Sequence, residues 1–339
     1  MLILGIETSC DETSAAVVED GWNVLSCVIA SSKKDFETVG GVIPEEAARR
    51  QQETILPTIE KALKDAKVTL DEIDVLAVTK GPGLLGSLLI GTMTARTLVA
   101  TTKKPLIPVH HVLGHLVSTS LGRNVAPEFP LLSLSVSGGH SDVWLRTGHT
   151  EQRLLGTTLD DAAGECFDKG AQMLGLPYPG GPALAALAES GDELQYKFPT
   201  PLQHDHLHQF SFSGLKTSLK YMLRDLGGIE GLNETVRASL AASYQRAIVL
   251  HLTSRIDALL QEHADIKEVH LVGGVSANVR LCQEVEALAS KHSVICRTPL
   301  TLRYCTDNAA MIASAGYFLL QADPTCIEKP WLTMARVAL

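Results

Sequence analysis

No stretch of the 339-residue chain approaches the roughly 20 consecutive apolar residues of a membrane span. The opening MLILGIETSC has neither a basic n-region nor a long apolar h-region, so no secretory signal is expected. The seven cysteines include no C-x-x-C pair and are odd in number. That predicts free thiols in a reducing compartment, and hence a cytoplasmic protein. Positive charge is also short: 29 Lys and Arg stand against 38 Asp and Glu, a formal net charge of −9. This argues against a general nucleic-acid coat, while leaving room for a local basic patch toward RNA.

The rest of the composition is that of a soluble globular protein, 45% apolar and 20% charged. The length suits about two domains of about 150 residues each. The start predicts a three-stranded meander. Leu2, Leu4 and Ile6 alternate in LILGIE, SAAVVE follows, Asp20-Gly21 signals a hairpin turn, and WNVLSCVIA is the third strand. A helix is expected from about Pro44, a residue suited to a first turn, with a break or kink at Pro57. DVLAVT then reads as a strand, GPGLLG as a loop and 85–102 as an apolar core helix, and the strand PLIPV leads into HHVLGH. The second half repeats this grammar. LLSLSVSGGHSDVWLR is strand, Gly-Gly turn, strand. Residues 160–175 read as an amphipathic helix entered through Asp160 and Asp161, GLPYPGGP as a loop, 195–215 as irregular and 234–263 as helix. VHLVGGVSANVRL is strand, turn, helix, and a final helix begins near Asp307. No short-period repeat is present, so the duplication is one of architecture: two α/β lobes, with a ligand cleft between them the natural expectation.

Candidate chemistry gathers at the turns. His111 and His115 are i and i+4, so on a helix they share a face, while His110 points elsewhere. Two imidazoles one turn apart can hold a divalent ion if a further ligand arrives from a distant segment, although such pairs are often incidental. No Glu follows His111, so the base of an H-E-x-x-H protease is missing. In GIETSCDETSAAV, backbone amides with Thr8 and Ser9 can hold a phosphate, and Asp11 and Glu12 can orient a metal, a water or a nucleophile. The plain alternative is a polar hairpin loop. In SVSGGHSDV, Gly138 and Gly139 let a ligand approach the backbone, flanked by Ser135 and Ser137. LVGGVSANVRL offers another glycine turn at a helix start, with Ser276 as a plausible N-cap, and matches neither a P-loop nor a dinucleotide fingerprint. Asp307 in CTDNAA would ordinarily be a helix cap, and Asp168 a solvated charge on a helix.

Taken in order, GIETSCDET, GGVIPEEAAR, GPGLLGSLLIG, PLIPVHHVLGH, SVSGGH, DDAAGECFDK, LPYPGGP, FSFSGLKT, VGGVSAN and CTDN resemble the TsaD (Gcp, Kae-like) family from about residue 1 to 318. Cys166 departs from the family pattern. The resemblance implies the actin, Hsp70 and sugar-kinase fold, with duplicated mixed-sheet α/β lobes. The first lobe would span 1–110, completed by a C-terminal helix at about 308–325. The second would span 130–306, with 111–129 as metal-ligand helix and connection. It implies transfer of a threonylcarbamoyl group from threonylcarbamoyl-AMP to N6 of adenosine 37 in tRNAs reading ANN codons. By the same resemblance His111, His115 and Asp307 bind one divalent metal, iron before zinc. Ser135, Val136, Ser137, Gly138, Gly139, Asp168, Gly181 and Asn278 contact ATP, ADP or the adenylate, and Asp11 and Glu12 lie at the reacting centre. A TsaB-like paralogue and a TsaE-like ATPase are the implied partners, with a TsaC-like enzyme supplying the adenylate. Rival readings are an ATP-dependent small-molecule kinase of the same fold, a metallopeptidase resting on the His pair alone, and a chaperone-like nucleotide-gated binder, which would call for a following substrate-binding domain.

Overall fold

The first strand, β1 (Leu2–Glu7), pairs antiparallel with β2 (Glu12–Glu19), and β2 with β3 (Asn23–Ser31). The computed structural model describes residues 1–31, 42–203, 208–327 and 329–339. Gly40 and Gly41 of GGVIPEEAAR, and 204–207 of the stretch read as irregular, lie outside them. Asp20 (φ 51°) and Gly21 (φ 76°) make the tight β2–β3 turn that the Asp-Gly pair predicts. Helix α1 (Pro44–Ala66) follows, then β4 (Val75–Gly81), α2 (Leu85–Thr102), β5 (Leu106–His110) and the short α3 (His111–Val117). The expected break at Pro57 does not occur: α1 runs through it. Ile55, Thr58, Ile59 and Ala62 are buried on both sides of the proline, so packing on the sheet holds the helix where intrinsic propensity would end it.

The chain continues through β6 (Leu131–Val136), β7 (Ser141–Arg146), β8 (Gln152–Thr157), α4 (Ala163–Met173), α5 (Gly180–Ala188), α6 (Ser213–Asp225) and α7 (Glu234–Glu262). It ends with β9 (Glu268–Val272), α8 (Val279–Lys291), β10 (Ile295–Arg297), α9 (Leu302–Cys305) and α10 (Ala309–Ala322). Two five-stranded sheets result, ordered β3-β2-β1-β4-β5 and β10-β9-β6-β7-β8. Read from the other edge, the second repeats the first: an antiparallel meander, then two parallel strands. The duplicated mixed-sheet α/β fold is therefore present. Residues 1–127, 148–151 and 299–339 form one compact unit, and residues 128–147 and 152–298 the other. Among the described residues, no helix is long and apolar enough to cross a membrane.

Both faces of the first sheet are covered, as parallel pairing requires. Leu4, Ile6, Ala15, Val17, Leu76 and Val78 pack with Ile55, Ile59 and Ala62 of α1 and Ala95 of α2. On the other face Ile3, Ala16, Val18, Ala77, Ile107 and Val109 pack with α10 and with Leu113 and Val117 of α3. Gly114 lets α3 and α10 approach closely, since a Cβ there would lie 2.9 Å from Ile312 Cδ1. This packing brings the start of α10 beside the histidine helix.

Four local readings need correction. Asp160 does not start α4, whose first amide instead donates to Ser141 Oγ at 2.8 Å. Asp160 receives the Ser211 and Ser213 hydroxyls, each at 2.6 Å, and the Phe212 amide at 2.8 Å, so it secures the start of α6, while Asp161 pairs with Lys216. Helix α5 begins inside GLPYPGGP, which read as a loop. Ser276 lies in a short 3-10 turn, and Asn278 caps α8 by accepting the Leu281 amide at 3.0 Å. Likewise Asn308, not Asp307, caps α10, accepting the Met311 amide at 3.0 Å. In the last two cases nearby polar residues share capping chemistry, and the tertiary partner decides between them.

In the second unit His251 on α7 lies against Phe210 and Phe212, with ring centroids 5.8 and 5.3 Å away, and its Nε2 accepts the Ser211 amide at 3.1 Å. Burial, helped by nearby Arg255 and opposed by Asp160, lowers its pKa to about 4. The native state thus excludes a proton that the unfolded chain binds near pH 6.5. Above about pH 6.5 the group is neutral in both states, and between about 6.5 and 4 up to about 3 kcal/mol of stability is lost. Denaturant titrations across this window are expected to show that loss. His251→Gln, which retains an acceptor for the amide, is expected to flatten it.

Candidate functional site

Strand β1 ends at Glu7, whose carboxylate is fully buried. Oε1 accepts the Ser9 amide at 2.5 Å, and Oε2 accepts the Thr79 hydroxyl from β4 and faces His111 Nδ1 at 3.3 Å. Ser9 Oγ lies 3.2 Å from the same nitrogen. With the Glu7 carboxylate as acceptor, His111 holds a proton on Nδ1 and directs Nε2 outward. That Nε2 is 3.6 Å from Asp307 Oδ1, and His115 Nε2 is 3.1 Å from the same oxygen. The imidazoles stand edge to face, with centroids 4.7 Å apart. One ligand atom from each of His111, His115 and Asp307 falls within 4.8 Å of the others. The expected i,i+4 face is real, and the distant third group arrives because Asn308 relieves Asp307 of capping.

These residues suit a divalent cation. Burial works against charge on His111, yet the Asp307 and Glu7 carboxylates, with Glu12, outweigh it and raise its pKa to about 9. The pocket therefore attracts positive charge, and a divalent ion would displace the proton. Nδ1 of His115 is buried with no hydrogen-bond partner among the described residues. Two imidazole nitrogens and a carboxylate suit iron or zinc. Cys10 is no thiolate competitor: burial, then Asp307, Asp11 and Glu12, push its pKa far above the ordinary range. His110, as expected, is turned away, with both ring nitrogens bonded elsewhere.

The turn after β1 is braced from α1. Gln51 of α1, 1% exposed, donates to the Cys10 and Glu12 carbonyls, both at 3.0 Å. Asp11 and Glu12 are buried in it, and Glu12 lies close enough to act on the His111 charge. The expected phosphate donors are otherwise engaged. Thr8 donates its hydroxyl to the Ser87 carbonyl at 2.8 Å, while the Ser9 amide serves Glu7 and its hydroxyl meets His111. GPGLLG has the spacing of a dinucleotide fingerprint, but its backbone is filled: a Cβ on Gly83 would lie 2.5 Å from the Ser9 carbonyl oxygen, and one on Gly81 would strike the Met334 carbonyl. No room remains there for a pyrophosphate.

In the second unit, Ser137 closes its turn by donating its amide to the His140 carbonyl (2.8 Å) and accepting the His140 amide on Oγ (3.1 Å). Gly138 and Gly139 face open space, whereas Ser135 and Val136 are buried in β6. The Gly164 amide donates to the Ser137 carbonyl at 3.1 Å, and a Cβ on Gly164 would lie 2.5 Å from that oxygen. Gly273 presses on the Val136 carbonyl, so the glycine turns meet at 136–137. Asp168 Oδ1 accepts the Gly181 amide at 3.1 Å, bringing those two together. Asn278 is used structurally: its oxygen caps α8 and its nitrogen donates to Gln245 Oε1 at 2.8 Å. Sequence reasoning missed Glu7, Gln51 and Gly164. Only Gln51 left a signal, as a polar residue in the buried stripe Ala47, Ile55, Thr58, Ala62 of α1.

Duplicated mixed-sheet lobes carrying a His-His-Asp group define a two-lobed α/β class. Solved structures of that architecture include HypF from T. kodakarensis (TM-score 0.63, 15% identity, covering 97% of this chain and 49% of that one). Component A of the Acidaminococcus fermentans (R)-2-hydroxyglutaryl-CoA dehydratase is another (TM-score 0.54, 16% identity, covering 94% and 98%). The sequence profile of TsaD, tRNA N6-adenosine threonylcarbamoyltransferase, matches residues 23–314. Relatives of that name are 49% identical over 322 residues in Symbiobacterium thermophilum (95% of this chain, 92% of the relative) and 46% identical over 321 in Dehalococcoides mccartyi (94% and 93%). The chain belongs to the TsaD family. It is a transferase that acts on tRNA in forming threonylcarbamoyladenosine.

Two outcomes follow for the metal group. His111→Ala is expected to lose bound metal while far-UV circular dichroism stays native; normal metal content would refute the ligand assignment. Glu7→Gln, nearly isosteric, can donate to Nδ1 and so select the wrong tautomer. Its metal affinity, measured by chelator competition, is expected to fall about ten- to a hundredfold.

Proposed function

We infer that the protein transfers the threonylcarbamoyl group of threonylcarbamoyl-AMP to N6 of adenosine 37 in tRNAs reading ANN codons, using one divalent metal, iron before zinc. The observation that carries this is the convergence of His111, His115 and Asp307 in a member of a threonylcarbamoyltransferase family. The donor is a mixed anhydride, so AMP is already a good leaving group. The exocyclic amine of adenine is a poor nucleophile, so holding it in line with the carbonyl dominates the rate. The new C–N bond forms at the carbamoyl carbon, the C–O bond to phosphate breaks, and the amine proton passes to a carboxylate.

Asp11 and Glu12 are the carboxylates assigned to orient the amine and take that proton. Glu7 is not a candidate base, since both its oxygens already accept bonds. A divalent ion on the His-His-Asp group would act as a Lewis acid toward a donor oxygen. For the adenylate, or ATP or ADP, the reading assigns the backbone at Ser135, Val136, Ser137, Gly138 and Gly139, with Asp168 and Gly181. The openness at Gly138 and Gly139 supports it. Asn278 then acts by fixing its turn, Thr8 by holding α2 and Ser9 by bracing the metal helix, instead of binding phosphate. A TsaC-like enzyme supplies the adenylate, a TsaB-like paralogue and a TsaE-like ATPase assist, and the work is cytoplasmic.

The test supplies tRNA, threonine, bicarbonate, ATP and the adenylate-forming enzyme, and seeks the modified nucleoside by mass spectrometry with and without this protein. Product is expected only when the protein and its metal are present. Product that survives both chelation and His115→Ala would refute the metal's part. Gly164→Ala, which would push its methyl into the Ser137 carbonyl, is expected to weaken nucleotide binding in calorimetry at least tenfold, about 1.4 kcal/mol, with the His-His-Asp group still loaded.

A further inference from the structure

The metal helix α3 has only seven residues, too few to hold a helical end on its own. Its cap is unusual. His110, the residue before it, accepts the Val112 amide on Nδ1 at 3.2 Å. A neutral imidazole accepting at Nδ1 must carry its proton on Nε2. That Nε2 lies 3.0 Å from the carbonyl oxygen of Val337, which can only accept. The two bonds therefore demand the same tautomer, and the cap of the metal helix is set by a backbone carbonyl 227 positions away.

The segment carrying that carbonyl is fastened along its length. Arg96 of α2 lies over the Trp331 ring, 4.4 Å from its centroid, and Thr333 donates to Thr92 Oγ1 at 3.0 Å. The Met334 amide donates to the Lys80 carbonyl at 2.9 Å, and the Gly83 amide to the Ala335 carbonyl at 3.2 Å. Gly81, at φ 145°, is pressed by the Met334 carbonyl where no side chain would fit. The Gly-Pro-Gly loop so gripped abuts Ser9, whose carbonyl accepts the Leu84 amide at 2.7 Å and whose hydroxyl meets His111. The strap thus reaches His111 by two routes: through the His110 cap, and through the loop that backs Ser9.

We propose that residues 334–337 form a positioning strap that sets the direction of His111 toward the metal, with His110 as its positioning residue. The inference rests on the reading that His111, His115 and Asp307 hold a metal. Its test is Co2+ titration of the full-length protein after chelation, reading both affinity and the visible d–d bands, which report ligand geometry. His110→Phe keeps a ring but loses both bonds. It is expected to weaken Co2+ binding about ten- to a hundredfold and to alter the bands. His110→Asn, which can still cap, recovers part of the affinity. Gly81→Ala, which displaces the Met334 carbonyl, produces a similar loss. Combining it with His110→Phe adds less than the sum, because both act on one path. Wild-type affinity and bands in His110→Phe overturn the strap. If that variant loses its native circular dichroism, His110→Asn and Gly81→Ala decide by the same readings. Wild-type protein that binds no Co2+ overturns the metal reading and the strap together, whereas normal wild-type binding beside unchanged variants overturns the strap alone.

Discussion

The buried carboxylate of Glu7 ties a strand, a turn and a helix to one point. It accepts the Ser9 amide from its own turn and the Thr79 hydroxyl from β4, and it faces His111 from α3. An isolated carboxylate in that position would be strongly disfavoured, and hydrogen bonds are what permit it. The Nδ1 proton of His111, the outward direction of its Nε2 and the pull of the site on positive charge all follow from this placement. Asp307 completes the group only because the first sheet is covered on that face by α10 and α3 together.

The second unit contributes differently. Its distinctive feature is backbone brought close to backbone, with Gly164 against the Ser137 carbonyl and Gly273 against Val136. Side chains with familiar binding chemistry, Ser137 and Asn278, are spent on closing a turn and capping a helix. Glycine turns of this kind hold peptide groups in fixed directions, a demand that glycine meets and larger residues do not.

Much of this was legible in the sequence because it is local. Alternation in LILGIE gave β1, Asp20-Gly21 gave its hairpin, and the spacing of His111 and His115 gave their shared face. Where two polar neighbours could each cap a helix, the sequence offered no way to choose. Asp307 against Asn308 and Ser276 against Asn278 were settled by packing beyond the helix itself. Asp160 was legible as a cap but not as the cap of α6, whose start lies about fifty positions along the chain. Pro57 does not end its helix, because sheet packing overrides that local preference. Strand β8 carried no clean alternation, and Val337 acts through a carbonyl that every residue type possesses.

The first unit is interrupted: its chain leaves after residue 127 and returns for good only at 299. A nascent polypeptide at the earlier point already holds Glu7 and both imidazoles, but lacks Asp307 and the alanine-rich helix that fills one side of the sheet. Until synthesis delivers that returning segment, α3 alone covers that face of the five-stranded sheet and the His-His-Asp group lacks its carboxylate. The His-His-Asp group is therefore completed late in biogenesis, on closure of a loop as long as a whole domain.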